Sequence, residues 1–85
     1  MSQLQEIFEA VKTENARSKA KYGLWKDRPE GITVGWEAIN DELQEWRNAY
    51  FSGDVHGEHG EIAELTQVMN VCARRIMFLQ GEDNA

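Results

Sequence analysis

Two segments of the chain carry apolar residues spaced alternately three and four positions apart, and this spacing constrains the fold more than any other feature. The first stripe consists of Trp36, Ile39, Leu43, Trp46 and Tyr50. The second consists of Ile62, Leu65, Met69, Cys72, Ile76 and Leu79. Such spacing is typical of helices that pack along a seam. We therefore predict two helices, roughly over 33–51 and 58–80.

A further helix is predicted at the start of the chain, over 2–21, from a run of apolar residues at helical spacing. Ser2 and Gln5 resemble a capping box, and Gly23 suits a left-handed residue after the last turn. The stretch "LWKDRPEG" (24–31) contains the proline and is predicted to be an irregular loop. The glycine-rich "SGDVHGEHG" is short, so the second and third helices should form an antiparallel hairpin.

The length of 85 residues, of which 41% are hydrophobic, fits one all-α domain over 1–85, with 81–85 as a frayed acidic tail. A chain this short is only marginally able to bury its apolar surface. We therefore expect a four-helix-bundle-like core that is completed by oligomerisation, as a homodimer or homotetramer.

The formal net charge of −6 argues against binding to a nucleic-acid polymer, which depends on a cationic surface. Cys72 is the single cysteine, which excludes an internal disulfide and favours a reducing cytoplasm. Its place on the apolar stripe predicts a packed thiol. There is no signal peptide and no apolar run of membrane-spanning length, so no membrane partner is expected.

Acidic residues flank both apolar stripes. In helical projection Glu42 and Glu45 lie beside the first stripe with alanines between them, and Glu61 and Glu64 lie on or beside the second. Burying unpaired carboxylates is costly, and a divalent cation such as Mg²⁺ would offset that cost. The alternative is that these acids are ordinary solvated charges, since Glu-x-x-Glu steps are common on exposed helix faces.

Three stretches, "ENARSKAKYGLW", "INDELQEWRNAY" and "HGEIAELTQVMNVCARRI", together resemble the all-α nucleoside triphosphate pyrophosphohydrolases of the MazG-like superfamily. The similarity is greatest to the short, phage-encoded type and covers roughly 13–79. It implies a Mg²⁺-dependent enzyme, with Mn²⁺ as a substitute, that hydrolyses a nucleoside triphosphate to a monophosphate and pyrophosphate. The expected location is the cytoplasm, which for a phage-encoded protein is that of the host.

The resemblance also implies roles for particular residues. Glu42, Glu45 and Glu64 would bind the metal, and one of the three would act as general base. The family's aspartate position falls on Gln67, which keeps an oxygen ligand but removes a negative charge, and Glu61 would replace it only in a rearranged site. The expected substrate-binding residues are Lys21, Trp25, Lys26, Arg28 and Arg75, with Arg74 as a further cation.

Two alternatives stay open. Gln67 favours a non-catalytic binding or assembly module that keeps the fold but has lost the activity. His56 and His59 have the spacing of one helical turn and suggest zinc, but with no cysteine or further histidine nearby a solvated loop is the preferred interpretation.

Overall fold

The computed structural model describes residues 1–25 and 31–81. Within these ranges the chain forms three helices, α1 (Gln3–Tyr22), α2 (Gly31–Ser52) and α3 (Glu61–Leu79), which confirms the predicted all-α class. Residues 26–30 of the predicted loop and 82–85 of the predicted tail lie outside the described ranges. Among the described helices, none is long and apolar enough to cross a membrane.

The ends of α1 follow the sequence signals closely. The Ser2 hydroxyl accepts a hydrogen bond from the Gln5 backbone nitrogen at 3.2 Å, and the Gln5 side chain accepts one from the Ser2 nitrogen at 2.8 Å. This reciprocal pair is the predicted capping box. Gly23 ends the helix with φ 76° and ψ −170°, a conformation favourable to glycine but outside the left-handed helical region that was predicted.

The connection between α2 and α3 is longer than predicted, because α3 begins at Glu61 rather than Glu58. The Asp54 side chain accepts a hydrogen bond from the Gly57 nitrogen, and the Asp54 carbonyl accepts one from the Glu61 nitrogen. These bonds fold the loop back on itself. A Cβ at Gly60 would lie 2.8 Å from the Gly57 nitrogen, so the close approach of the backbone requires glycine there.

Helix α3 lies between the other two helices and packs against both. Trp46, late in α2, donates to Glu61 at the start of α3 at 3.4 Å, whereas Gly35, early in α2, lies against Arg75. The α2–α3 pair is therefore antiparallel, as predicted. Helix α1 runs parallel to α3, since Asn15 pairs with Asn70 and the Gly23 carbonyl accepts from Arg74.

The described part of a single chain buries few apolar side chains. The buried apolar residues are Leu24, Trp25 and Ala49. Helices α1 and α3 are instead joined through Asn70, which is 2% exposed and donates to the Ser18 hydroxyl at 3.0 Å. Much of the two predicted stripes faces solvent, and Trp36 is 78% exposed.

Candidate metal centre

The α2 side of the candidate site consists of two glutamates separated by one helical turn. Glu42 and Glu45 point toward α3, on the flank of the helix that also carries Ala38 and Ala49. Ala49 is 5% exposed, which indicates that this flank of α2 contacts the neighbouring helix. Small side chains at the contact bring the two helices close and leave room around the carboxylates.

Helix α3 adds the third acid, Glu64, from its first turn. One carboxylate oxygen from each of Glu42, Glu45 and Glu64 can be chosen so that all three lie within 4.8 Å of one another. This is the one group of three or more potential metal-ligating His, Cys, Asp or Glu side chains found in the described ranges. Three glutamates that the sequence predicts as ligands are thus brought together from two helices.

Two oxygens of this cluster are buried and have no hydrogen-bond partner. They are Oε2 of Glu42 and Oε2 of Glu64. Glu64 is only 6% exposed, so water reaches it poorly. Buried polar atoms are nearly always paired in folded proteins, and the exceptions require an explanation. Hard oxygen donors of this kind are the ligands that Mg²⁺ and Mn²⁺ prefer.

The cluster resists full ionisation. Burial raises the pKa of Glu42 to about 7, and the neighbouring charges of Glu45, Glu64 and Asp41 contribute to the same shift. Burial is also the main cause that raises the pKa of Glu64, with the Glu45 charge adding to it. At neutral pH the metal-free site is therefore partly protonated at Glu42, and a bound cation would displace this proton.

One histidine contacts the cluster from the loop. His59 Nδ1 lies 3.4 Å from Glu64 Oε1, and the His59 side chain is 84% exposed. This contact acts against the burial of Glu64 by lowering its pKa. His56 and His59 lie in the loop before α3 rather than on a helical turn, so the zinc arrangement considered from their spacing does not form.

The three acids form part of the wall of an open cavity of about 620 Å³ between the helices. A volume of this size is in the range of small-molecule sites. The α1 side of the cavity carries an ion pair and polar side chains, whereas the α2 side is acidic. Its lining residues are Glu14, Arg17, Ser18, Tyr22, Trp25, Ala38, Asp41, Glu42, Glu45, Glu58, His59, Ala63, Glu64, Gln67, Asn70, Val71 and Arg74.

Two further residues were predicted as metal ligands, and the structure gives each of them a hydrogen-bond partner. Glu61 accepts a bond from Trp46 Nε1 at 3.4 Å. Gln67 lines the cavity, and its side-chain nitrogen donates to Glu14 Oε2 at 2.7 Å. Neither partner was predicted, because both contacts join residues on different helices.

The structure places some of the predicted substrate-binding residues in the cavity wall and others away from it. Trp25 lines the cavity and is 2% exposed, so it is packed there rather than open to solvent. Lys21 lies over the Tyr22 ring at 5.1 Å, and Arg75 lies over Phe78 at 5.2 Å. Neither of these two cations is among the cavity-lining residues. Lys26 and Arg28 lie outside the described ranges.

Sequence reasoning did not single out Glu14, Arg17 or Ser18, which α1 contributes to this cavity. Glu14 and Arg17 form an ion pair at 2.8 Å that lines the cavity, and Ser18 joins Asn70 behind it. The available signal was the spacing of three residues between an acid and an arginine, which places both on one side of a helix. Such pairs are frequent on exposed helices, so the spacing alone did not distinguish this one.

Comparisons of the chain with protein-family models, with curated proteins and with solved structures find no match. A function for this chain must therefore be inferred from the geometry of the cavity and its acids and from the motifs that surround them.

Proposed function

We propose that the chain is a Mg²⁺-dependent nucleoside triphosphate pyrophosphohydrolase of the cytoplasm. The observation that carries this proposal is the convergence of Glu42, Glu45 and Glu64, two of them with a buried oxygen that lacks a partner. The reaction class is taken from the resemblance of the motifs that surround these residues.

The metal part of the proposal follows from electrostatics. Three carboxylates this close repel one another, and burial makes the charged forms of Glu42 and Glu64 still less favourable. A divalent cation removes both costs and satisfies the two unpaired oxygens. Mg²⁺ also retains several water ligands and is commonly shared between carboxylates and substrate phosphates, which suits an open cavity.

Different residues of the chain would have different roles in the reaction. Hydrolysis would add a water molecule across the anhydride between the α- and β-phosphoryl groups, breaking one P–O bond and releasing a monophosphate and pyrophosphate. A bound Mg²⁺ supplies Lewis acidity and lowers the pKa of a water molecule. A glutamate of the cluster would accept the proton of the attacking water, and Arg17 would face the negative charge of the substrate.

We further propose that the chain acts as a homo-oligomer. Large apolar side chains of the described helices stay exposed in the single chain, such as Trp36 at 78% and Leu79 at 67%. Contiguous exposed apolar surface of this kind is typical of protein–protein interfaces. Because the exposed stripes of α2 and α3 lie on adjacent antiparallel helices, a two-fold axis would pair them with a second copy and form four helices.

The test of the enzyme is pyrophosphate release from a panel of nucleoside and deoxynucleoside triphosphates with Mg²⁺ or Mn²⁺. We expect release with at least one nucleotide, and a loss of about 100-fold or more in Glu64→Gln because a ligand to the metal is removed. Glu37→Gln is the matched control, since Glu37 is exposed on α2 and does not line the cavity.

Two results would count against this function. Undiminished release in Glu64→Gln would show that the cluster is not the metal site. No release with any nucleotide, together with Mg²⁺-independent binding of a nucleotide, would favour the non-catalytic binding module. Gln67 supports that alternative, because it offers no negative charge to the metal.

A further inference from the structure

Three side chains meet at one oxygen on the α1 wall of the cavity. Arg17 donates to Glu14 Oε2 through Nε at 3.0 Å and through Nη2 at 2.8 Å. Gln67, on α3, donates to the same oxygen at 2.7 Å. Glu14 therefore connects an arginine of α1 to the helix that carries Glu64.

The chemistry of Glu14 determines which group of Gln67 faces it. The Arg17 guanidinium is the main cause that holds the pKa of Glu14 below its usual range, so Glu14 is a carboxylate and only accepts hydrogen bonds. The Gln67 carboxamide must then present its nitrogen. A carboxylate at position 67 would repel Glu14, so this contact requires an amide.

An anion that enters this cavity meets mostly negative charge. The acids that line it are Glu14, Asp41, Glu42, Glu45, Glu58 and Glu64, and the permanently cationic residues among the described lining are Arg17 and Arg74. Arg74 is 6% exposed and donates to the Gly23 carbonyl at 2.5 Å. Its guanidinium also lies 5.4 Å from the Trp25 ring, so Arg74 takes part in packing the end of α1.

Arg17 is placed differently. Its side chain is 57% exposed, and two of the five N–H groups of its guanidinium donate to Glu14, which leaves three. A guanidinium held along one edge presents its other edge in a fixed direction. That arrangement suits phosphate oxygens, which arginine binds through paired hydrogen bonds.

We propose that Gln67 and Glu14 are positioning residues that hold Arg17 as the anion-binding side chain of the cavity, for the phosphates of a metal-bound polyphosphate. The proposal rests on the proposed function, since the acidic walls admit such an anion only with its cation. It gives Gln67 a role on the α1 wall rather than in the metal site.

The first test measures binding of inorganic pyrophosphate by calorimetry in the presence of Mg²⁺. Arg17→Gln should raise the dissociation constant about tenfold or more, and Arg17→Lys should recover part of the loss. Lys12→Gln is the matched control: Lys12 pairs with Glu9 at the same spacing on α1, and neither residue lines the cavity. Wild-type affinity in Arg17→Gln would overturn the proposal.

A second measurement separates this inference from the metal site. In Arg17→Gln and Gln67→Leu, the rise in melting temperature caused by Mg²⁺ alone should equal that of the wild type, while pyrophosphate affinity falls in both. Loss of the Mg²⁺ effect in Gln67→Leu would identify Gln67 as a metal ligand and overturn its positioning role. If Mg²⁺ does not raise the melting temperature of the wild type, the result contradicts the proposed metal site and therefore the proposed function itself.

Discussion

The two sides of the α2–α3 pair have opposite character. The side that the helices turn toward each other carries Glu42, Glu45 and Glu64 beside small residues such as Ala49. The outer side carries large apolar side chains that are between 37% and 78% exposed in the single chain: Trp36, Leu43, Tyr50, Ile62, Leu65, Met69, Ile76 and Leu79. A soluble monomer normally has the reverse arrangement, with charges outside and large apolar residues inside.

This contrast agrees with the proposal that the two sides have different partners. Repelling carboxylates on the inner side would be stabilised by a cation, which no apolar packing can replace. Exposed apolar stripes on the outer side are stabilised by removal from water, which a second copy of the chain would provide. Because the partners differ, changes on the two sides should produce separable effects.

The largest effect is expected on the outer side, from Leu43→Glu. The substitution would place a negative charge from each copy in the proposed apolar interface. Like charges brought together in such a contact cost several kcal/mol. We expect the dissociation constant of the oligomer to rise by about 1,000-fold or more. Sedimentation velocity over a range of concentrations measures this change.

Thr13→Glu is the control for that experiment, because it adds the same charge at an exposed position on α1, away from both stripes. If the wild type sediments as a monomer at every concentration, the interface proposal is wrong. If Leu43→Glu does not fold, the wild type alone tests the interface proposal. Its melting temperature should increase with protein concentration only if the chain is an oligomer.

The inner side should respond to Mg²⁺. At a concentration of 100 times its dissociation constant, a ligand stabilises the native state by about 2.7 kcal/mol, or about 10 °C or more in a domain of this size. Glu64→Gln should lose this gain yet melt higher than the wild type without metal, because it removes one of three acids that repel one another. Thermal melting at pH 7.5, at fixed protein concentration, shows whether the two effects have opposite signs.

The fold was more predictable than the location of its buried residues. Helix class, the Ser2 cap and the hairpin could be read from local signals, because capping and glycine placement depend on neighbours in sequence. The start of α3 was placed too early because the backbone bonds between Asp54 and Glu61 span the whole loop. Spacing identified the apolar stripes but did not show that the flank beside the α2 stripe contacts α3.

The third prediction concerns pH and the inner side without metal. Glu42 has a pKa of about 7 when folded and 4.5 as its ordinary value. Its contribution to stability is fully present below pH 4.5 and is lost as the pH rises through 7. The loss should be about 1 kcal/mol once solvent screening of this half-buried group is included.

Melting temperatures of the metal-free protein between pH 4.5 and pH 8 test this. In Glu42→Gln the melting temperature should fall less steeply with increasing pH over that range, whereas Glu37→Gln should show the same fall as the wild type. An unchanged slope in Glu42→Gln would show that Glu42 does not hold a proton in the folded state.

The candidate site was predictable on the two helices whose acids are close in sequence to apolar stripes. Glu42 and Glu45 share a face by spacing alone, and Glu64 repeats the relation on the next helix. The partners of Gln67 and Glu61 were not predictable, since each bond crosses between helices. The parallel packing of α1 on α3, which brings Arg17 to the cavity, depends on the polar contacts of Asn70 and has no local sequence signature.

The smallest effect is expected for Gly35→Ala, at a buried position of α2 that lies against the Arg75 side chain of α3. A Cβ there would lie 2.8 Å from Arg75 Cδ and Nη1, so the arginine must move, while alanine favours the helix by up to about 1 kcal/mol. Because a flexible side chain yields easily, the change in stability should stay within about 0.5 kcal/mol in either direction. Arg75 lies outside the cavity lining, so its displacement should leave kcat/KM for pyrophosphate release unchanged. A clear fall in kcat/KM without a change in melting temperature would return Arg75 to the substrate-binding residues and extend the functional surface beyond the inner side.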